Sequence, residues 1–324
     1  MLLVVLEHDR GRLVEASREA LTFGRTLAGK MDTELVAALI GSDDDDLVAA
    51  AAAYGARVVH TCVHEVLSDY GPDAFGAVVA QMVAALSPDA VLACGSDRGN
   101  EVMAHAAARL DAPFVANCTD VSPGEPWTMT RLQWGGSLLE DTTLTAEVPL
   151  LTCGLHVVAA VPGDEADPDT EEFDADLDDR HAVTIVSDRV VQEAGVTLPT
   201  APVVVGGGRG VGSEVGFETL EELAGLLGGR VGCSRAVTNL GWRPHSDQVG
   251  QTGTRIAPEI YIASGISGAI QHWVGAMASK HILAINIDRD ANMVAKADWA
   301  VIGDLHEVIP AISEEIRRRR AVGP

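Results

Sequence analysis

Two glycine-rich segments in the second half of the chain have the residue types and spacing to hold a phosphate group. In the first, the apolar run 203–205 leads into three glycines, Arg209 and Gly210. A strand that ends in such a turn presents backbone N–H groups to an anion, and an arginine adds a charge-assisted contact. The second segment, Tyr261 to His272, has the same order of strand, glycine turn and helix. Each segment predicts phosphate binding, although tight packing alone would explain the first equally well.

The first segment does not fit the common nucleotide-binding fingerprints. No acidic residue closes a second strand about twenty residues after the first glycines, as a dinucleotide-binding Rossmann motif requires. No lysine follows them either, which excludes a Walker A motif. Lys280 and Lys296 are the lysines of this half, and both lie outside the glycine loops. A nucleotide-binding regulator or an NAD-dependent transferase therefore remains a low-ranked alternative.

Further polar segments recur where parallel strands are predicted to end. They are Gly232 to Arg235, Gly241 to Pro244 and Gln248 to Gly253. Ligands of open α/β sheets lie along that edge. The segments offer hydroxyls, amides, arginines and a histidine, but no nucleophile–base pair and no paired carboxylates. We expect a site that grips a large, polar, flat ligand and carries out no hydrolysis.

Hydrophobic periodicity predicts the elements that position these loops. In the first half, short β-branched runs alternate with amphipathic helices, which is typical of a parallel sheet covered on both faces. The predicted elements there are strands Leu2–Leu6, Leu35–Ile40, Val58–Cys62, Ala90–Cys94 and Pro113–Ala116, and helices Glu15–Met31, Leu47–Tyr54, Ala74–Leu86 and Asn100–Leu110. The second half repeats the alternation, with a helix over Glu214–Leu227 after the first glycine loop.

Three segments break this rhythm. Threonine-rich runs predict antiparallel strands at Trp127–Gln133, Gly136–Thr145 and Pro149–Cys153. Ten acidic residues lie between Asp164 and Asp179, so we expect an exposed loop that builds no core. A strand is predicted at Ala182–Val186. 

A proline-containing connection then leads into the glycine-rich half. The predicted fold is α/β with two domains: an N-terminal, Rossmann-like parallel-sheet domain over residues 1–197, and a C-terminal domain over residues 198–324 with a doubly wound parallel sheet.

Charge and composition exclude several classes of function. The 324 residues carry 47 acidic and 23 basic side chains, a formal net charge of -24, which argues against nucleic acid or an anionic membrane as partner. No apolar stretch approaches the roughly 18 residues of a spanning helix. Five scattered cysteines without CxxC spacing predict reduced thiols, a cytoplasmic location and no metal site. The acidic, lysine-poor surface also suits a high-salt habitat, which we state as a hypothesis.

Taken in order, the motifs of the second half resemble the α subunit of electron transfer flavoproteins. The motifs that carry the resemblance are Gly207 to Gly210, Ser234-Arg235, Gly241-Trp242 with Pro244, Gln248 to Gly253, Tyr261 to His272, Asn286 with Asp288, Ala297-Asp298, and Gly303 to Leu305. The resemblance extends more weakly through the first half.

The resemblance implies an electron carrier without substrate turnover of its own, and hence no catalytic residues. It implies a heterodimer with a β subunit that holds one FAD, mostly in the second domain, while the first domain contacts the partner. Electrons would pass from flavin dehydrogenases, such as the acyl-CoA dehydrogenases of fatty acid β-oxidation, to a membrane quinone oxidoreductase. The alternative left open is the α subunit of a bifurcating complex that uses NADH and carries a second FAD.

The resemblance also implies which residues bind FAD. By position they are Arg209, Ser234, Arg235, Val249, Gly250, Gln251, Thr252, Ser267, Gly268, Ala269, Ile270, Gln271, His272, Asn286, Asp304 and Leu305. Gln251 and Thr252 would contact the flavin ring, and His272 its pyrimidine end. From the residues alone, His272 is better explained as a structural helix histidine, Thr252 as a turn hydroxyl and Arg235 as a surface charge.

Overall fold

The chain folds into two compact units, residues 1–190 and 191–324. The computed structural model describes residues 1–163, 168–187 and 196–322. Each unit contains an α/β sheet that is mainly or wholly parallel, which confirms the predicted two-domain α/β fold. The boundary at 197/198 stays a prediction, and residues 188–195 next to it lie outside the described part of the chain.

Among its described residues, the first unit has a nine-stranded sheet, a separate two-stranded hairpin and four α-helices. Its strands are β1 Leu2–Leu6, β2 His8–Asp9, β3 Arg12–Leu13, β4 Leu35–Ile40, β5 Val58–Cys62, β6 Ala90–Cys94, β7 Phe114–Ser122, β8 Trp127–Gln133, β9 Leu138–Leu144, β10 Leu150–Cys153 and β11 Asp169–Glu172. Its helices are α1 Glu15–Met31, α2 Asp45–Ala52, α3 Pro72–Leu86 and α4 Asp97–Leu110. β2 and β3 form a separate small hairpin.

The strand order of the large sheet is β11-β5-β4-β1-β6-β10-β7-β8-β9. Pairing is parallel from β11 to β7, and β8 and β9 continue the sheet as an antiparallel hairpin. All five residues of β1 are buried, because helices cover both faces of a parallel sheet. The chain builds outward from β1 to β4 and β5, then crosses to β6 on the other side. The strand order therefore reverses between β1 and β6.

The antiparallel prediction for Pro149–Cys153 is wrong. The strand there, β10, lies inside the sheet and pairs in parallel with both β6 and β7. Its four residues are fully buried, as in the other central parallel strands. The neighbouring threonine-rich hairpin suggested the opposite direction, but the partners of β10 come from distant parts of the sequence.

The acidic segment 164–179 is only partly the exposed loop that its composition predicts. Residues 164–167 lie outside the described part of the chain. Asp169–Glu172 form the exposed edge strand β11, parallel to β5. Farther on, Ala175 and Leu177 are buried and Phe173 packs beside them against the core. Apolar residues that alternate with the acids therefore attach this segment to the sheet.

No strand forms at Ala182–Val186, where one was predicted. After a short 3₁₀ turn at Asp179–His181, this stretch has only bends and irregular backbone. Val183 and Ile185 are 74% and 70% exposed. β-Branched residues favour a strand when they pack on a buried face and meet a pairing partner, and these two residues do neither.

The second unit has a five-stranded, wholly parallel sheet in the order β13-β12-β14-β15-β16. Its strands are β12 Val203–Gly207, β13 Arg230–Cys233, β14 Ile260–Ser264, β15 Ile282–Asn286 and β16 Trp299–Ile302. Its helices are α5 Glu218–Leu227, α6 Arg235–Asn239, α7 Ile270–Ala276, α8 Asn292–Lys296 and α9 Leu305–Val322. Among the helices described in both units, none is long and apolar enough to cross a bilayer.

The helix predicted from Glu214 begins four residues later, at Glu218. Two 3₁₀ turns, Arg209–Val211 and Val215–Phe217, separate it from β12, and Phe217 in the second turn is buried in the core. Glu218 and Glu221 fill the first turn of α5. Carboxylates therefore already complement the N-terminus of α5, and phosphate binding at the glycine turn before it stays a prediction.

Candidate functional site

The predicted site residues collect at one edge of the second sheet, where the parallel strands end. β12 lies between β13 and β14, and its last residue, Gly207, pairs with both Cys233 and Ser264. The chain runs from β12 to β13 on one side and then crosses to β14 on the other. A crevice opens where the strand order reverses in this way, and ligands of α/β sheets bind there.

Close backbone packing joins the two glycine loops at this crevice. The N–H of Gly208 donates to the carbonyl of Ser264 at 2.9 Å, and the N–H of Gly210 donates to that of Gly265 at 3.2 Å. A Cβ at position 208 would lie 2.1 Å from the carbonyl oxygen of Gly265. No real side chain tolerates that distance, so glycine is required for the loops to meet.

The segment Gln248 to Gly253 is fixed against the same edge by a buried amide. Gln248 is 1% exposed, and its side chain accepts from the Thr238 hydroxyl at 2.9 Å and donates to the Thr252 hydroxyl at 3.0 Å. The N–H of Gln251 donates to the carbonyl of Gln271 at 2.7 Å. Gln251 and Thr252 are therefore held next to α7.

The sixteen predicted residues differ in exposure. Nine are exposed: Arg209, Arg235, Gln251, Thr252, Ser267, Ala269, Ile270, Gln271 and Asp304. Ser234 is half-buried, and six are buried: Val249, Gly250, Gly268, His272, Asn286 and Leu305. Within the described part of the chain, neither arginine has a side-chain hydrogen bond or an ion pair. Both positive charges are therefore free to meet a ligand.

His272 is one of the buried residues whose side chain has unused hydrogen-bonding capacity in the described structure. It is 6% exposed, and its Nε2 lies 2.8 Å from the hydroxyl of Tyr261. Its Nδ1 is buried and has no hydrogen-bond partner in the described structure. Burial lowers the pKa of His272 to about 4, although a contact of the ring with the Val249 backbone, which falls short of ordinary hydrogen-bond geometry, opposes the change. The imidazole is therefore neutral at pH 7.

Three predicted residues at the far side of the edge already have structural contacts. The amide of Asn286 donates to the carbonyl of Ile266 at 3.0 Å and accepts from the N–H of Asp288 at 3.0 Å. Asp304 accepts from the N–H of His306 near the start of α9, and Leu305 is part of the core. Their role toward a ligand stays a prediction.

Sequence reasoning missed three residues that shape the site. Gln248 and Tyr261 lie inside motifs that were recognised, but neither was selected. Ser264 ends β14 with a buried hydroxyl that has no hydrogen-bond partner among the described residues. The available signal was a polar group within an apolar run. Buried polar groups normally have a hydrogen-bond partner, so such a residue indicates a specific contact.

The side chains at this edge are suited to binding a polar ligand. Among residues 1–163, 168–187 and 196–322, no group of histidine, cysteine and carboxylate side chains is arranged to hold a metal ion. The cysteine nearest the site, Cys233, is buried, and burial raises the pKa of its thiol to about 12. The site offers two free guanidinium groups, exposed hydroxyls and amides, and a buried neutral imidazole.

Comparisons with known proteins match both units. Residues 2–178 match the family profile described as the electron transfer flavoprotein domain. Residues 197–277 match the profile described as the electron transfer flavoprotein FAD-binding domain. 

Relatives match along nearly the whole chain. The electron transfer flavoprotein subunit alpha of Thermoanaerobacterium thermosaccharolyticum is 34% identical, over 97% of this chain and 97% of that protein. The protein of the same name from Bacillus subtilis is 34% identical, over 98% and 97%. Protein FixB of Azorhizobium caulinodans is also 34% identical, over 98% of this chain and 88% of that protein.

Proposed function

Because this chain belongs to the α-subunit family of electron transfer flavoproteins, with FAD as the family's cofactor, we propose that it works as half of a heterodimer. The other half is an electron transfer flavoprotein β subunit. The pair accepts electrons from flavin dehydrogenases, such as acyl-CoA dehydrogenases, and delivers them to a quinone oxidoreductase. The first unit contacts the β subunit, and the crevice of the second sheet holds FAD.

The observation that supports this proposal most strongly is the buried Nδ1 of His272, which makes no hydrogen bond of ordinary geometry in the described structure. A buried polar atom without a hydrogen bond costs about 1–3 kcal/mol, and folded proteins leave few of them. A ligand with a hydrogen-bonding edge removes that cost. FAD has such an edge on its ring and a negative pyrophosphate, which the free charges of Arg209 and Arg235 complement. The residues present therefore fit the cofactor.

Each region of the edge receives a part of the cofactor in this proposal. Gln251 and Thr252 contact the flavin ring, and His272 contacts its pyrimidine end. Ser234 and Arg235 lie toward the ring and the dinucleotide arm. The loop from Ser267 to Ile270 follows the ribityl and pyrophosphate portion, and Asn286 and Asp304 meet the adenosine half.

The protein's part is to bind FAD, to orient it and to adjust its redox potential. Bound FAD supplies the redox chemistry. The buried imidazole presents a polar atom from a low-dielectric surrounding, where a hydrogen bond to a developing charge is stronger than in water. The close-packed glycine loops keep the donor groups in place, so little reorganisation accompanies a change in the charge of the ligand.

The test is to co-express the chain with its β partner and measure FAD per heterodimer, then follow reduction by an acyl-CoA dehydrogenase with its substrate. We expect one FAD per heterodimer and reduction by the dehydrogenase. A preparation that neither contains nor takes up FAD would refute the proposed site. Two FAD and reduction by NADH would instead support the bifurcating complex.

Two arginines at opposite ends of β13 provide a matched pair of variants. Arg235 follows the end of the strand at the crevice, whereas Arg230 begins the strand at the other edge, and both are exposed. Arg235→Gln removes a charge-assisted contact and weakens FAD binding by about tenfold. Arg230→Gln leaves binding unchanged. Equal effects of the two variants on the FAD dissociation constant would contradict the placement of the site.

A further inference from the structure

The hydroxyl of Tyr261 makes one hydrogen bond in the described structure, and that bond goes to His272. Tyr261 lies on β14 and is fully buried. Its oxygen is 2.8 Å from Nε2 of His272 on α7, and the two ring centroids are 6.1 Å apart. The bond therefore connects the strand before the second glycine loop to the helix after it.

The surroundings fix the position of this hydroxyl. A Cβ at Gly206 on the neighbouring strand β12 would lie 2.2 Å from the Tyr261 oxygen. The missing side chain of Gly206 is the space that the hydroxyl occupies. With its ring packed among buried residues of β12 and β14, Tyr261 has no alternative position for its oxygen.

The direction of the hydrogen bond follows from the available groups. A tyrosine O–H that is fully buried needs an acceptor, and Nε2 of His272 is the acceptor within hydrogen-bond distance in the described structure. Burial raises the pKa of Tyr261, so the phenol keeps its proton. The imidazole is neutral at pH 7, so one of its nitrogens accepts and the other carries hydrogen. The reverse direction would leave the phenol hydrogen buried without an acceptor. Tyr261 therefore donates, and the ring hydrogen of His272 is on Nδ1.

This tautomer gives the unpartnered atom of the crevice a definite character. Nδ1 of His272 is a buried N–H donor that makes no hydrogen bond of ordinary geometry in the described structure, because the contact of the ring with the Val249 backbone falls short of that geometry. Such a donor is costly until a better acceptor arrives. We propose that Tyr261 is a positioning residue that holds His272 as the Nδ1–H tautomer, so that Nδ1–H donates to an acceptor atom of the bound flavin. This inference rests on the proposed function, since it takes FAD to be the ligand of the crevice.

The experiment is ¹⁵N NMR of the heterodimer with ¹⁵N-labelled histidine, in which His272→Gln identifies the His272 ring signals. The wild-type spectrum needs no further variant to decide the tautomer. We expect a protonated Nδ1 and a bare, accepting Nε2. A bare Nδ1 in the wild type overturns the inference.

Tyr261→Phe removes the hydroxyl and keeps the ring. We expect His272 to lose its single tautomer, FAD to bind about three- to tenfold more weakly, and the midpoint potential of bound FAD to fall. The potential falls because the lost donor stabilised negative charge on the reduced cofactor. Unchanged tautomer, affinity and potential overturn the inference.

Tyr70→Phe is the matched control, because Tyr70 also makes one hydrogen bond through its hydroxyl, 2.6 Å to Glu101 in the first unit. We expect this variant to leave the His272 signals and FAD binding as in the wild type. A similar loss in both variants would indicate a general structural effect and would overturn the positioning role. A heterodimer without FAD refutes the proposed function, whereas one that binds FAD with a bare Nδ1 refutes this inference alone.

Discussion

The two units have similar sheets, but the side chains at the position where strand order reverses differ in charge. In the second unit, glycine loops and two arginines, neither of them paired with another described residue, lie at the edge where strand order reverses. In the first unit, the strand order reverses between β1 and β6, and the carboxylate of Glu7 lies there. It accepts from the Ser96 hydroxyl at 2.5 Å and from the thiol of Cys94 at 3.5 Å. Ser96 is also the N-cap of α4, so a protein carboxylate occupies the place where a bound anion would be stabilised.

The first unit nevertheless has a cavity of about 250 Å³ at that edge. Its lining includes Glu7, Asp9 and Asp44 together with Arg10 and Arg98. Carboxylates at this reversal point repel a phosphate. The mainly parallel sheet of the first unit and the parallel sheet of the second thus present different charges at their strand ends, and the fold alone specifies no ligand.

The two units also differ in net charge. Residues 1–190 contain 33 acidic and 11 basic side chains, a net charge of -22, whereas residues 191–324 contain 14 and 12, a net charge of -2. The acidity of the chain therefore belongs almost entirely to the first unit, whereas the unit that contains the match to the FAD-binding domain is nearly neutral.

The largest effect that tests this comparison is expected from Gly208→Ala. The new methyl group would meet the backbone of Gly265, which has no flexible side chain to move away. We expect the heterodimer to lose FAD and the free energy of unfolding of the second unit to fall by about 3 kcal/mol. The first unit should unfold as before. Urea titration followed by hydrogen-exchange mass spectrometry measures the two units separately.

Gly225→Ala is the control for that variant. Gly225 lies inside α5, and a Cβ there meets nothing within 4 Å. We expect a small gain of about 0.5–1 kcal/mol, because alanine favours a helix interior over glycine. Retention of FAD with normal stability in Gly208→Ala would show that the loops tolerate separation.

Most strands and helices were predictable because their signals are local. Continuous apolar runs such as Leu35–Ile40 identify buried parallel strands, and their bounds agree with the structure. The direction of β10 was not predictable, because its partners are β6 and β7 and pairing is set by distant residues. The start of α5 depends on Phe217 reaching the core, which composition does not reveal.

The candidate site was predictable at the level of motifs but not of contacts. The spacing of the glycine loops located the edge of the sheet correctly. The hydrogen bond between Tyr261 and His272 joins a strand to the helix after the next turn. It also requires the space left by the absent side chain of Gly206 on the neighbouring strand. No periodicity in the sequence encodes a contact among three elements, so this bond emerges only from the folded arrangement.

A second test compares the buried histidines of the two units by pH. The pKa of His272 falls from an ordinary 6.5 to about 4 in the folded chain. As pH falls, the unfolded chain therefore binds the proton first, and stability present above pH 6.5 is lost toward pH 4. We expect FAD-free heterodimer to lose about 2 kcal/mol from the second unit between pH 7.5 and pH 5. His272→Gln should remove this loss.

His60 is the buried histidine of the first unit with which His272 is compared. Burial lowers its pKa, but the carboxylate of Glu171 opposes the change. We therefore expect His60→Asn to remove a smaller part of the pH dependence than His272→Gln does. Equal slopes of unfolding free energy against pH in wild type and His272→Gln would contradict a neutral, buried His272.

A third test compares two serines, one expected to contribute mainly to stability and the other mainly to FAD binding. Ser96 caps α4 by accepting from the N–H of Gly99 at 2.9 Å, whereas Ser234 stands at the N-cap position of α6 without a side-chain cap hydrogen bond. Ser96→Ala should cost about 1 kcal/mol of stability in the first unit and leave FAD binding unchanged. Ser234→Ala should change stability by less than about 0.5 kcal/mol and weaken FAD binding severalfold. The reverse pattern, from urea titration and FAD titration of each variant, would remove Ser234 from the site.

The smallest effect concerns salt. Because the first unit carries a net charge of -22, its compact state is destabilised by self-repulsion, which ions screen over about 10 Å at 0.1 M and about 3 Å at 1 M. We expect 1 M KCl to raise its free energy of unfolding by less than about 1 kcal/mol and to change the nearly neutral second unit less. Hydrogen exchange of β1 and β12 amides in low and high KCl measures both units in one sample. Equal responses would mean that pairing within the acidic unit, such as Arg131 with Glu140, already cancels the repulsion. The difference in charge between the units would then have no consequence for their stability.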